Sequence, residues 1–181
     1  MPEGDLRGRI LLGIAREAIA DPAVPRPRTW EHEWLRRRGA TFITLRDAAG
    51  ELRGCIGTVD AHRALGDDVA HNAHAAAYRD PRFAPLDRDE QSSLGVEVSV
   101  LTGRVAIAAS SEAEAVESLK PGDDGVVFEY GEFHATFLPQ VWENLPDPLE
   151  FLSELRRKAR LPARFWHPEV RLWRYGVEKH R

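Results

Sequence analysis

Residues 41–58 have the pattern of a β-hairpin, which limits the folds open to this chain. The run Thr41-Phe42-Ile43-Thr44-Leu45 is rich in β-branched and aromatic residues, and Asp47-Ala48-Ala49-Gly50 is typical of a tight turn. Residues 51–58 can return as the second strand. Strands joined by so short a turn run antiparallel, so the pattern argues against a doubly wound α/β fold.

Helical and strand patterns follow one another along the rest of the chain. Apolar residues recur at helical spacing from Leu6 to Ala20 and from Leu65 to Tyr78, whereas Val96, Val98 and Val100 alternate with other residues as in a strand. The other predicted elements are a short helix from Thr29 to Arg38 that stops at Gly39, helices opening at Ser111 and at Asp147-Pro148, and strands over 126–128, 134–138 and 170–175. These elements predict an α+β fold, a mainly antiparallel sheet with flanking helices.

The size and charge of the chain restrict its organisation and its partners. A length of 181 residues suits a single domain over residues 1–181, with room for a smaller lobe within it. The formal net charge of −4 argues against a nucleic-acid-binding protein, because phosphate contacts need a basic surface. The basic clusters Arg36-Arg37-Arg38 and Arg156-Arg157-Lys158 lie at or near predicted helix ends, where cations favour the helix C-terminus.

The cysteine content and the length of the apolar runs indicate the cellular compartment in which the protein is expected. A single cysteine leaves no internal disulfide. The first residues lack the basic and apolar regions of a secretory signal, and no apolar run approaches the length of a membrane span. We therefore expect a cytoplasmic protein that does not enter the membrane.

The single cysteine, Cys55, is the best candidate for a functional site. If residues 51–58 are extended, Leu52 and Ile56 share an apolar face and Arg53 lies on the other face with Cys55. A guanidinium near a thiol favours the reactive thiolate. The glycines at 54 and 57 predict either a bulge that re-aims the thiol or close approach of a ligand to the backbone. Alternatively, a lone cysteine is simply a small buried apolar residue.

Weaker candidates are polar residues in apolar or irregular segments. Glu97 interrupts an apolar strand, so it faces either solvent or a site. His134 lies on a predicted strand and could act as a base if that strand neighbours Cys55. Arg82, in a proline-rich loop, could position a carboxylate or phosphate, although a local salt bridge with Asp80 explains it as well.

Signals for metals and cofactors are weak. His71 and His74 lie three residues apart on a predicted helix, but two histidines alone do not make a metal site, and Asp67 explains His71 as an ordinary helix-surface pair. The chain has no glycine-rich phosphate loop and no Cys-x-x-Cys motif. We therefore expect no metal and no cofactor.

Ordered blocks of residues connect this sequence to a known family. The first block is Phe42-Ile43-Thr44-Leu45, a turn, and Leu52-Arg53-Gly54-Cys55-Ile56-Gly57-Thr58. Further blocks are Asn72-Ala73 with Ala76-Ala77, Asp80-Pro81-Arg82-Phe83 with Pro85-Leu86, Val98-Ser99-Val100-Leu101, Leu138-Pro139-Gln140-Val141, and the helix around Phe151-Leu152. From about Leu6 to Trp166 the chain resembles the AMMECR-one domain family, also called AmmeMemoRadiSam system protein A. The family usually has a glycine after Lys-Ala in its C-terminal helix, where this chain has Arg160.

The resemblance implies an α+β fold with a larger and a smaller lobe and a cleft between them. It also implies partnership with a Memo-like protein and a radical S-adenosylmethionine enzyme, whose genes often accompany bacterial and archaeal members. It supplies no reaction and no substrate, so the small molecule remains unknown. It makes the whole segment from Arg53 to Gly57, rather than Cys55 alone, the unit of hypothesis.

Two functions from different classes stay open, and whether the protein is an enzyme stays open with them. In the first, Cys55 is the nucleophile or covalent anchor of a small-molecule site, Arg53 stabilises its thiolate or binds an anionic substrate, and Gly54 and Gly57 admit the ligand. The acid–base candidates are Glu97 and His134, and the further ligand-binding candidates are Asn72, Asp80 and Arg82. In the second, the same motif is the rigid surface of a non-catalytic binding or adaptor module.

Overall fold

The computed structural model describes residues 3–181, with side chains from Leu6 onward, as an α+β structure with antiparallel sheets, which confirms the predicted fold class. The helices are α1 (Glu3–Ala20), α2 (Glu33–Arg36), α3 (Leu65–Tyr78), α4 (Glu112–Ser118) and α5 (Pro148–Lys158). The strands are β1 (Arg38–Gly39), β2 (Thr41–Arg46), β3 (Leu52–Gly57), β4 (Arg63–Ala64), β5 (Gly95–Leu101), β6 (Val105–Ile107), β7 (Gly125–Tyr130), β8 (Phe133–Phe137), β9 (Arg171–Tyr175) and β10 (Val177–His180). Two 3₁₀ helices span Arg88–Ser93 and Pro139–Glu143. Over residues 3–181, no helix combines the length and apolarity that crossing a bilayer requires.

The chain divides into two compact units, and the first contains the predicted hairpin. Within residues 3–101 and 178–181, a four-stranded sheet has the order β10–β5–β2–β3, so β3 is an edge strand. Helices α1 and α3 pack against each other and against this sheet. Buried apolar side chains of the helices and strands form one core, including Leu11, Ile14, Ile43, Leu45, Val69 and Val98. Burial of this apolar area is the main force that holds the unit together.

The sheet of the first unit has an inner and an outer face. Ile43 and Leu45 of β2 are fully buried in the core. Because successive side chains of a strand alternate, Thr44 points to the opposite face, which we call the outer face. Thr44 pairs with Cys55 of β3 on one side and with Glu97 of β5 on the other, so these three residues form one row across the outer face.

The pairing of β2 with β3 shifts register beside the cysteine motif. Leu45 pairs with Gly54 and Arg46 pairs with Leu52, which leaves Arg53 without a partner residue, as in a β-bulge. Leu52 therefore stands opposite Arg46 of the outer face, and it is 38% exposed. The predicted strict alternation, with Leu52 and Ile56 together against the core, is wrong at Leu52. The extra residue, Arg53, shifts the alternation by one position, so that Leu52 lies on the outer face instead of the inner one.

The segment before the hairpin also differs from its sequence-based prediction. The predicted helix from Thr29 to Arg38 is reduced to the single turn α2, and Gly39 lies in β1, where it pairs with Arg63 rather than capping a helix. A Cβ on Gly39 would lie 2.6 Å from Cδ1 of Leu65. The glycine thus allows close packing against Leu65 at the start of α3, which no local pattern in the sequence reveals.

The second unit comprises residues 102–177 and has its own sheet and core. Its strand order is β6–β9–β7–β8, with all recorded pairs antiparallel. Phe151 of α5 is fully buried, and its ring stacks on Trp142 with the centroids 3.7 Å apart. These aromatic contacts fix α5 within the unit.

Arg160, where the resembled family has glycine, adopts a left-handed backbone with φ of 65°. It follows the end of α5, where its N–H donates to the Arg157 carbonyl at 2.9 Å and the Leu161 N–H donates to the Arg156 carbonyl at 3.0 Å. This is the hydrogen-bond pattern of a Schellman helix terminus, whose left-handed residue is usually glycine. The position is therefore strained for a residue with a side chain, as in this chain, and glycine would relieve the strain.

Candidate functional site around Cys55

Cys55 lies in the middle of the edge strand β3 and is partly exposed as a residue. Its Sγ is 3.5 Å from Oγ1 of Thr44 on the neighbouring strand β2, within the range of a weak hydrogen bond to sulfur. Directly paired residues of this kind bring their side chains close together on one face of a sheet. The thiol therefore belongs to the outer face and not to the buried core.

The backbone of Cys55 is bound by the loop that follows α3. Its N–H donates to Oδ2 of Asp80 at 2.8 Å, and its carbonyl accepts from Nη2 of Arg82 at 3.1 Å. An edge strand otherwise leaves such groups to water or to another chain. The Asp80–Arg82 loop thus closes the edge of the sheet at the cysteine.

Asp80 and Arg82 form a two-pronged ion pair beside the thiol. Nε of Arg82 donates to Oδ1 of Asp80 at 2.9 Å, and Nη2 donates to Oδ2 at 2.7 Å. Asp80 is only 4% exposed, and the hydrogen bonds from Arg82 followed by the Cys55 N–H hold the pKa of its carboxyl well below the usual range. The pairing with Asp80 raises the pKa of Arg82, and Cys55 adds to this effect. The side chain of Arg82 is 53% exposed, so a guanidinium at the thiol is open to solvent.

Arg53, expected to stabilise the thiolate, is bound to other groups. Its Nε and Nη2 donate to the two carboxylate oxygens of Glu90 at 2.8 and 2.9 Å, and its Nη1 donates to the carbonyl of Ala84 at 3.0 Å. The hydrogen bond from Arg53 lowers the pKa of Glu90 to about 2. Arg53 therefore fastens the bulged end of β3 to the segment 84–90, and Arg82 takes the place beside Cys55 that the sequence suggested for Arg53.

The Arg53–Glu90 pair predicts a loss of stability in acid. The pKa of Glu90 is about 2 in the folded protein and about 4.3 in an unfolded chain. Because the folded value is the lower one, the stabilisation is complete above the unfolded pKa and is lost as the pH falls through the folded pKa. We expect this pair to account for about 1 kcal/mol of the unfolding free energy lost between pH 5 and pH 2, after allowance for the partial exposure of Glu90.

Urea denaturation of Glu90→Gln across this pH range measures that contribution. On acidification, the unfolding free energy of the variant should fall by about 1 kcal/mol less than that of the original chain. Asp89→Asn, at a neighbouring exposed position, serves as the control and should follow the original chain. If acid lowered the unfolding free energy equally in the original chain and in Glu90→Gln, the pair would contribute nothing measurable to stability.

The two glycines of the motif make room for protein atoms. A Cβ on Gly54 would lie 2.2 Å from the carbonyl oxygen of Ala76 in α3, and one on Gly57 would lie 2.2 Å from the ring of Phe42. Both values are far below ordinary contact distances. Close packing of the strand against its neighbours therefore accounts for both glycines, and the expected role of admitting a ligand does not fit this geometry.

Asn72, expected to bind ligand, is buried in a network that joins α3 to β2. Its Nδ2, with two hydrogens to share, lies 3.0 Å from each of three acceptors: the carbonyl of Thr41, Oγ1 of Thr58 and Oδ2 of Asp68. The N–H and hydroxyl of Thr41 also donate to Asp68, both at 2.8 Å. Burial raises the pKa of Asp68 despite these bonds. Asn72 thus holds the start of β2 and the end of β3 in place.

Glu97 and His134, the acid–base candidates, lie in different units. Glu97 occupies the outer-face row with Thr44, and its carboxylate accepts from Nε of Arg181 at 2.5 Å and lies 4.0 Å from Nζ of Lys179. His134 belongs to the second unit, where its Nδ1 lies 3.3 Å from the carbonyl of Glu132 on an exposed turn. Glu97 therefore shares the face of the thiol, whereas His134 is a residue of the second unit.

Two contributors to this site were missed by sequence reasoning. The sequence pattern places Thr44 in a strand without indicating a role, and Glu90 is not among the candidates that the sequence indicates. Glu90 had a local signal, because Asp87 and Glu90 form a capping box at the start of the 3₁₀ helix. Within the part of the chain that the structure describes, no three His, Cys, Asp or Glu side chains group as metal ligands would.

Fold and site together define a two-unit α+β protein whose cysteine lies on a sheet edge closed by an acidic–basic loop. Comparison with known proteins then assigns it further: the chain belongs to the AMMECR1 family, whose model matches residues 12–180. This confirms the family indicated by the sequence blocks.

The relatives are similar over most of the chain. A protein of Saccharolobus islandicus is 38% identical over 167 residues, covering 88% of this chain and 74% of its own length. A protein of Methanothermobacter thermautotrophicus is 36% identical over 182 residues, covering 94% of this chain and 92% of its own length. The crystal structure of the uncharacterized protein PH0010 from Pyrococcus horikoshii matches with a TM-score of 0.78 and 31% identity, covering 95% of this chain and 89% of that one.

Proposed function

We propose that the first unit carries a small-molecule site in which the thiol of Cys55 is the nucleophile or covalent anchor and Arg82 is the cation that attracts an anionic ligand. The observation that carries this proposal is the combination of a partly exposed cysteine and a half-exposed guanidinium bound to the carbonyl of the same residue. A cysteine kept only for packing needs neither feature.

The surroundings hold both groups in place. Asp80 is buried and binds the Cys55 N–H and the Arg82 guanidinium together, so thiol and cation keep a fixed relation. Nη2 and Nε of Arg82 are used in these bonds, which leaves Nη1 directed to no acceptor within the described residues. Such pre-organised groups bind a ligand with little loss of conformational entropy.

Cys55 would react by attack of its thiolate sulfur on an electrophilic carbon. A carbon–sulfur bond forms and the leaving group departs with its electron pair, while the thiol proton passes to solvent beforehand. Arg82 would bind a carboxylate or phosphate of the same molecule by charge-assisted hydrogen bonds. The chemical class supported is therefore a small anionic electrophile, whether the adduct is an intermediate or an end point.

The rates of alkylation by iodoacetate and by iodoacetamide test this function. Both reagents form the same kind of carbon–sulfur bond and release iodide, but only iodoacetate is anionic. We expect the iodoacetate-to-iodoacetamide rate ratio at Cys55 to fall about fivefold in Arg82→Gln, as removal of one charge at short range implies. Arg82→Lys should retain most of the ratio, because it keeps the charge.

Matched variants decide between site chemistry and general charge effects. Arg38→Gln removes an exposed arginine from the same unit and should leave the ratio unchanged. Circular dichroism establishes that each variant is folded before its rates are compared. A ratio equal in the original chain, in Arg82→Gln and in a free cysteine peptide would reject the proposal.

The second candidate, a binding or adaptor module, is favoured by one observation. Leu52 of the motif is 38% exposed beside the bulge, which suits contact with another protein. The resemblance suggests a Memo-like protein and a radical S-adenosylmethionine enzyme as partners. Cys55→Ala separates the two functions, because it removes a covalent site but leaves the surface at Leu52 in place. The module would be favoured if Cys55→Ala bound a purified partner as well as the original chain does and if Cys55 of the original chain showed no preference for iodoacetate over iodoacetamide.

A further inference from the structure

We propose that a cavity on the outer face of the first unit's sheet binds the carboxylate or phosphate group of a small molecule. The cavity has a volume of about 530 Å³ and is lined by Thr44, Arg46, Gly95, Glu97, Arg16 and Arg181. The inference rests on the proposed function, since it identifies a second anchoring point for the ligand of Cys55. None of the three arginines was a candidate from the sequence.

Two of the arginines carry charge that the described residues do not neutralise. Nη1 of Arg46 donates to the carbonyl of Gly50 at 3.0 Å, and Nη1 of Arg16 donates to the carbonyl of Leu94 at 3.5 Å. A carbonyl orients a guanidinium without cancelling its charge. Among the residues whose side chains are described, neither arginine lies in an ion pair with a carboxylate. Both therefore have donors available for an anion.

The carboxylate in the cavity is already bound by other cations. Glu97 accepts from Arg181 at 2.5 Å and lies 4.0 Å from Lys179, and its side chain is mostly buried. Three arginines against this one carboxylate leave the cavity with a net positive charge. A concave surface with excess positive charge concentrates anions.

The cavity adjoins the thiol through one shared residue. Thr44 lines the cavity, and its hydroxyl oxygen is 3.5 Å from Sγ of Cys55. Glu97 and Cys55 are two strands apart in one row, which is roughly 10 Å across the sheet. A molecule of only a few carbon atoms can therefore place its anionic group in the cavity and its electrophilic carbon near the sulfur.

The charge of the whole chain favours a small molecule over a nucleic acid as the occupant of the cavity. The formal net charge is −4, whereas nucleic-acid surfaces are extended and basic. If a single-stranded oligonucleotide bound to the protein and competed with phosphate for the cavity, that result would overturn the choice of a small molecule.

Titration with inorganic phosphate and with succinate, followed by amide chemical shifts, tests the cavity. We expect millimolar concentrations of one of these anions to shift the amides of Thr44, Arg46 and Val96, and the uncharged succinamide to shift none of them. The tighter of the two anions identifies the phosphate or the carboxylate class. Arg46→Gln should weaken this binding about tenfold, as loss of a charge-assisted hydrogen bond implies, whereas Arg38→Gln should not.

The same titration on Cys55→Ser separates this inference from the function on which it rests. Retained phosphate or succinate binding in Cys55→Ser, with loss in Arg46→Gln, supports the cavity even if Cys55 shows no selectivity for iodoacetate. Equal affinities of Arg46→Gln and Arg38→Gln, or no shift at the cavity amides with either anion, would overturn it.

Discussion

Gly54→Ala is expected to lower the unfolding free energy by about 3 kcal/mol, at the upper end of the cost of overpacking. The added Cβ would lie 2.2 Å from the carbonyl oxygen of Ala76, a backbone atom of α3 that cannot rotate aside. Helix and strand must therefore separate, although they form the walls of the same core. Urea denaturation monitored by circular dichroism measures the loss.

A glycine elsewhere in the unit provides the matched control. Gly13 lies in the middle of α1 on its exposed face, and a Cβ there would meet nothing within 4 Å. Gly13→Ala should raise the unfolding free energy by about 1 kcal/mol, because alanine favours the helix and glycine does not. If Gly54→Ala were as stable as the original chain, α3 would not pack on β3 as closely as described.

Local patterns in the sequence were sufficient to predict the frame of the first unit. The hairpin predicted over residues 41–58 is confirmed as β2 and β3, and the helices predicted from Leu6 and from Leu65 are confirmed as α1 and α3. Each of these elements has a periodic pattern or a turn whose residues are close in sequence, so the information is local. The ordered blocks that indicated the AMMECR1 family add to the same frame.

The chemistry at Cys55 depends on contacts that no local pattern encodes. Arg53 was the obvious partner because it is two residues away, but it binds Glu90, which is 37 residues further along the chain. Arg82 lies beside the cysteine because its ion-pair partner Asp80, 25 residues from Cys55, accepts a hydrogen bond from the Cys55 N–H. The extra residue at Arg53 invalidates strict alternation, and alternation was the basis for placing Arg53 with the thiol.

The two glycines of the motif illustrate how one residue type is compatible with different structural roles. From the sequence, Gly54 and Gly57 were equally compatible with a bulge and with ligand approach. In the structure the bulge is present at the neighbouring Arg53, while protein atoms occupy the space that a Cβ would take at either glycine. Only the three-dimensional neighbours decide whether a missing Cβ leaves space for a ligand or for a helix.

Asp80→Ala is expected to lower the unfolding free energy by about 3 kcal/mol and to disorganise the thiol site. The carboxylate is buried and accepts from the Cys55 N–H and from the backbone N–H, Nε and Nη2 of Arg82. Its removal leaves a strand N–H without an acceptor in a buried position, which is costly, and leaves the half-exposed guanidinium of Arg82 without its counter-charge. Asp89→Ala, at an exposed position of the same unit, is the control and should cost less than about 0.5 kcal/mol.

Asp80→Asn separates the charge of this residue from its hydrogen bond to the strand. The amide oxygen can still accept from the Cys55 N–H, so the variant should be more stable than Asp80→Ala while having lost the ion pair. The pKa of Asp80 is lowered in the fold, so its stabilisation is complete above pH 4 and is lost as the pH falls further. Both variants should therefore show a flatter dependence of stability on pH below 4 than the original chain. If all three chains lose stability equally in acid, Asp80 is not the buried anion that fixes Arg82 beside Cys55, and the proposed site loses its support.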